Sequence, residues 1–147
     1  MADPRKKLPD AALWARRFHS RRIIHRLELA AQPDAELVLD GFDPIQLSPG
    51  FLAIPTPGHT RGHCVLLYQD AYLSSGDHLW WSRDRDSLHA SRNVCWHDWS
   101  QQTASIALLR DYNFEWLLPG HGQRIHLDRT SMRKHLDDLN HRMRATS

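Results

Sequence analysis

The chain has 147 residues, enough for one domain with a real core, and its 41% apolar content argues against disorder. Its 19 basic and 17 acidic residues leave a net charge of +2, too balanced for an electrostatic nucleic-acid footprint. No apolar run approaches a membrane span and no signal-peptide core follows the charged start, so a cytoplasmic protein without membrane attachment is expected. Two cysteines, Cys64 and Cys95, make no disulfide framework.

In chain order, residues 1–7 read as a frayed basic lead-in. Pro9-Asp10 opens a helix expected to run to about His19, with Leu13, Trp14 and Phe18 at helical spacing and Arg16 and Arg17 towards solvent. Arg22–His25 is a short strand candidate, and the arginines around it read as a solvated helix end rather than a basic patch. Leu27–Gln32 is ambiguous, and Pro33-Asp34 breaks it. Residues 36–40 and 43–47 then read as strands joined by a turn at Gly41, and Phe51–Ile54 as a third after the Pro49-Gly50 turn. Such close spacing predicts an antiparallel meander.

The strand at Phe51–Ile54 feeds Thr56-Pro57-Gly58-His59-Thr60-Arg61-Gly62-His63, which leads into the apolar strand Cys64–Tyr68. After a Gln69-Asp70 turn, Ala71–Ser74 is the return strand, ending at Gly76-Asp77. A third glycine-bearing turn, Pro119-Gly120-His121-Gly122, follows the apolar strand Phe114–Leu118. Three short turns, each carrying one His or Asp, are what a metal site on a sheet edge requires. Imidazole and carboxylate suit a borderline divalent ion such as zinc, and glycine lets the backbone bend close to it.

These three ordered motifs, over roughly residues 36 to 127, resemble the second half of a metallo-β-lactamase-fold hydrolase of the glyoxalase II-like kind. The resemblance implies an α/β fold, an incomplete αββα sandwich with an antiparallel-rich sheet flanked by helices, and residues 1–147 as a single truncated domain. It implies that His59 and His121 each hold one metal ion and that Asp77 bridges two ions or orients the attacking water. One or two zinc ions are expected, weakly bound or absent, with iron or manganese as alternatives. The H-x-H-x-D-H motif that supplies the family's other ligands is missing from these residues. The implied chemistry is hydrolysis of a thioester, lactone or similar ester by a metal-bound hydroxide. The alternative is a non-catalytic remnant serving as a binding or assembly module. An incomplete sandwich would also leave an apolar sheet face exposed or covered in a homodimer.

Other candidates are weighed against plainer roles. His63 is read as packing behind the site, and His78 receives no role. Trp80, Trp81, Trp96 and Trp99 either line an apolar pocket or pack their segment onto the sheet, the second being favoured. Cys95 lacks a base held by a third group and is read as structural. His97-Asp98 starts a helix with Trp99, Ile106 and Leu109 buried, and Asp111–Asn113 ends it. Residues 123–127 form a short strand. Asp128 caps a last helix whose stripe is Met132, Leu136, Leu139 and Met143, with His135 and His141 on its solvated face.

Overall fold

The computed structural model describes residues 10–146, so the expected fraying of residues 1–7 lies outside the described residues. The described chain forms two compact units, which divide after Gly41.

The first unit holds helix α1 (Ala11–Phe18), strand β1 (Ile23–His25), a 3-10 turn (Arg26–Ala31) and strand β2 (Leu37–Leu39). The turn resolves the ambiguous Leu27–Gln32 stretch. β2 pairs with β1, in parallel, so the expected meander of residues 36–40 with 43–47 is incorrect. The pairing is held by ions at its ends. Arg22 places its guanidinium on both Glu36 oxygens, the shortest contact being 2.8 Å, and Arg26 meets Asp40 at 2.6 Å. That arginine holds the Glu36 carboxyl at about 2, well below the ordinary range. Leu13, Trp14 and Phe18 do lie on the helix, but all three are exposed. Only Ala15 of α1 is buried, while Trp14 and Phe18 stack on each other with ring centroids 5.4 Å apart.

The second unit contains strands β3 (Ile45–Ser48), β4 (Phe51–Pro55), β5 (Cys64–Tyr68), β6 (Tyr72–Gly76), β7 (Trp80–Ser82) and β8 (Ser87–His89), then helix α2 (Trp99–Leu108), strands β9 (Trp116–Pro119) and β10 (Ile125–His126), and helix α3 (Arg129–Ala145). Six strands form one mixed, mostly antiparallel sheet in the order β10-β9-β6-β5-β4-β3, with only β6 and β9 parallel. The turn between β5 and β6 has positive φ at both Gln69 and Asp70 and is closed by the Ala71 N–H donating to Tyr68 carbonyl. β7 and β8 make a separate hairpin that the sequence reading did not assign.

Alternation along the strands sends Ile54, Val65, Leu67, Leu73 and Leu117 into one core. α2 contributes Ile106, and α3 contributes Met132, Leu136, Leu139 and Met143 to the same core, as its stripe predicted. Both helices start on an aspartate cap: Asp98 accepts from the Gln101 N–H and Asp128 from the Ser131 N–H. The alternate positions expose Tyr68 and Tyr72, which belong to a cross-strand row running Phe51, Tyr68, Tyr72, Trp116 and His126. No helix among the described residues is long and apolar enough to cross a membrane.

Candidate functional site

Antiparallel pairing of β4, β5 and β6, with β9 parallel to β6, brings three connections to the same end of the sheet. They are the loop between β4 and β5 with His59, the turn after β6 with Asp77, and the turn after β9 with His121. His59 Nε2 lies 3.9 Å from Asp77 Oδ2, and His121 Nδ1 donates to Asp77 Oδ1 at 2.6 Å. The structure therefore brings all three expected residues together around one carboxylate. His59 is buried, Asp77 is half-buried, and His121 is largely exposed.

The His59 turn is anchored from α2 and the segment before it. Gly58 carbonyl accepts from the Asp98 N–H at 3.0 Å and from the Cys95 thiol at 3.1 Å. His59 carbonyl accepts from the Trp96 N–H at 2.9 Å, and Pro57 carbonyl from the Ser105 hydroxyl at 2.7 Å. Ser105 and Gln102 are buried polar residues of α2. The sequence reading assigned that face to apolar packing and missed both. Burial pushes the Cys95 thiol up, in keeping with a structural role.

Behind the site lie two more histidines. His63 shares a 2.9 Å hydrogen bond with the Thr56 hydroxyl, stacks on His78 at 5.1 Å, and meets the His59 ring edge-on at 5.6 Å. Burial, with His59 adding to it, pushes His63 down to about 4. His78 is fully buried, neither ring nitrogen has a hydrogen-bond partner among the described residues, and burial pushes it well below its ordinary value. The packing expected of His63 extends to His78, which faces no solvent. His135, expected on a solvated helix face, instead meets the Trp81 ring edge-on at 5.0 Å.

The tryptophans divide between the two roles. Trp81 belongs to the core and Trp99 packs against it. Trp80 and Trp96 line a cavity of about 470 Å³ together with His59, Asp77, Val94, His121 and Gly122. Gly122 has φ +85°, and a Cβ there would stand 2.6 Å from the Trp80 ring, so glycine lets the His121 turn lie directly on that indole. The Trp81 N–H also donates to Gln123 carbonyl at 2.9 Å and fixes the same turn.

No protein-family model matches the sequence, and no curated protein matches it. Solved structures do. The crystal structure of VMB-1 at pH 5.5 superposes with a TM-score of 0.64 at 17% identity, covering 95% of this chain and 63% of that one. The fold is that of the metallo-β-lactamases. TMB-1 gives a TM-score of 0.62 at 18% identity over 92% of this chain and 62% of that one. A metallo-β-lactamase from Hirschia baltica gives 0.61 at 13% over 86% and 59%. The chain thus spans less than two thirds of the length of these three structures.

The three side chains carry the right donor chemistry for a divalent ion. His121, donating through Nδ1, keeps its lone pair on Nε2, and an imidazole oriented by a carboxylate in this way is the usual form of a metal-binding histidine. Two donors of one tetrahedral zinc stand roughly 3.4 Å apart. His59 Nε2 and Asp77 Oδ2 are close to that separation, whereas Asp77 and His121 are in direct hydrogen bond. Among the described residues, no three His, Cys, Asp or Glu side chains surround a common metal position.

Proposed function

We propose that the chain is a zinc-dependent hydrolase of the metallo-β-lactamase fold, acting on a thioester, lactone or similar ester where His59, Asp77 and His121 meet. The observation that supports this most directly is the shared Asp77 carboxylate, which lies between the two imidazoles at the wall of the cavity. His59 through Nε2, Asp77 through Oδ2 and His121 through Nε2 would supply the donors. Zinc bound there would acidify a water molecule and polarise the substrate carbonyl.

The chain's own residues orient and hold. The Asp77 carboxylate fixes the tautomer and ring direction of His121, and three backbone carbonyls tied to α2 and its approach hold the His59 turn. The half-buried carboxylate is also placed to accept a proton released beside it. Trp80 and Trp96 shield one side of the cavity from water. With three donors and no common centre, affinity for zinc is expected to be weak.

A second reading, a non-catalytic binding module, is favoured by that same lack of a three-donor group. Zinc-dependent hydrolysis of S-phenyl thioacetate distinguishes them. The hydrolase reading expects turnover that rises with added zinc and is lost in Asp77→Ala and His59→Ala. A rate unchanged by zinc, or unaffected by Asp77→Ala, contradicts it.

A further inference from the structure

The cavity beside the three candidate ligands has a wall whose composition bears on what can occupy it. Val94 and Trp96 lie on the segment between β8 and α2 and are 36% and 41% exposed. Neither is needed to close the core, and exposed apolar residues grouped at a cavity mark a binding surface more often than chance scatter does. Their position is fixed by bonds onto the His59 turn, the Trp96 N–H to His59 carbonyl, the Asp98 N–H to Gly58 carbonyl and the Cys95 thiol to Gly58 carbonyl. Trp80 also lines the cavity, seated against Gly122. Among the described residues, no lysine or arginine lines the cavity, and the one carboxylate that does is Asp77. An anionic group on the ligand would therefore lose water and meet a carboxylate, two imidazoles and indole rings, with no lysine or arginine among the described lining to pair with it. At about 470 Å³ the space suits a small molecule rather than a polymer segment.

We propose that Trp80, Val94 and Trp96 form a selectivity wall that admits ligands whose group beside the reacting bond is apolar and uncharged, an aromatic or branched side rather than a carboxylate-bearing one. The inference rests on the proposed hydrolytic site for the direction of the reacting bond. The preference of the wall is proposed for the metal-free chain, where no ion supplies a counter-charge.

The test uses the full chain, metal-free in chelator and labelled with 5-fluorotryptophan, followed by fluorine NMR. The probes are N-benzylacetamide, which is uncharged, and 4-(acetamidomethyl)benzoate, the same molecule with a carboxylate. The neutral probe should move the Trp80 and Trp96 signals, assigned by single Trp→Phe variants, and bind about tenfold more tightly than the acid. Trp96→Ala should weaken the neutral probe about tenfold, Trp96→Phe should retain most of the affinity, and Val94→Ser should weaken it several-fold. Trp96 and Val94 are exposed, so these variants are expected to melt with the parent protein. Equal or tighter binding of the acid overturns the proposal, as does unchanged affinity in Trp96→Ala. A separate zinc titration read at His59 and His121 reports on the hydrolase reading alone, so either can fail without the other.

Discussion

A Cβ on Gly58 would stand 2.3 Å from both the backbone nitrogen and the Cα of Gln102, so the turn that carries His59 rests directly on the first turn of α2. The obstructing atoms are backbone and cannot swing aside, and Gly58 also has φ +140°. Gly58→Ala should therefore cost about 3 kcal/mol through overpacking and an unfavourable backbone conformation. Urea denaturation measures this. A midpoint unchanged from the parent would mean that the turn and the helix are not packed as described.

Ser105→Ala tests the same junction by a milder route. It removes the donor to Pro57 carbonyl and leaves that carbonyl short of a partner, which should cost about 1–2 kcal/mol. Thermal unfolding at a fixed pH reads the loss. A gain in stability would show that the carbonyl finds another donor without effort.

Acid should weaken the fold through the partly buried His63 and the buried His78. His63 is held down to about 4 by burial and His78 well below its ordinary value by the same cause, while both titrate near 6.5 in the unfolded chain. Between those values the unfolded state binds more protons, so this stability is fully present above about 6.5 and is lost as pH falls towards 4. His63 alone contributes on the order of 3 kcal/mol across that window. Denaturation curves at intervals from pH 7 to 4 should show the decline, and His63→Asn should flatten part of it. A flat profile in the parent would contradict the neutral pair.

Burial of the Cys95 thiol, with its bond to Gly58 carbonyl, should make it slow to alkylate. Iodoacetamide at pH 8, followed by peptide mass analysis, should modify it more slowly than free cysteine. Faster modification would point to an activated thiol and revive the nucleophile reading that the sequence disfavoured.

Where structure followed from local chemistry, the sequence disclosed it. The caps at Asp98 and Asp128, the α3 stripe from Met132 to Met143 and the β5–β6 hairpin all depend on neighbours within a few residues. The motif turns at His59, Asp77 and His121 were legible because glycine and proline mark them and alternating strands precede them. The parallel pairing of β1 with β2 was not legible, since its register links residues 14 apart across a segment with no strong period. Helical spacing put Leu13, Trp14 and Phe18 on a helix but could not say whether anything covers them. The β7–β8 hairpin was hidden by the charged run Arg83–Asp86, which reads as loop although its short flanks pair. The burial of His78 and the bonds from Ser105 and Gln102 arise from tertiary packing and leave no periodic trace.

The central claim is that His59, Asp77 and His121 act as one set of donors for a divalent ion. Long-range proton–nitrogen NMR of the histidine rings during a zinc titration tests it most directly. The account predicts that the His59 and His121 ring nitrogens shift together with weak, saturable affinity. His135 and His141 should stay still, and Asp77→Ala should abolish the response. Shifts confined to His135 and His141, or a His59 and His121 response unchanged in Asp77→Ala, would contradict it.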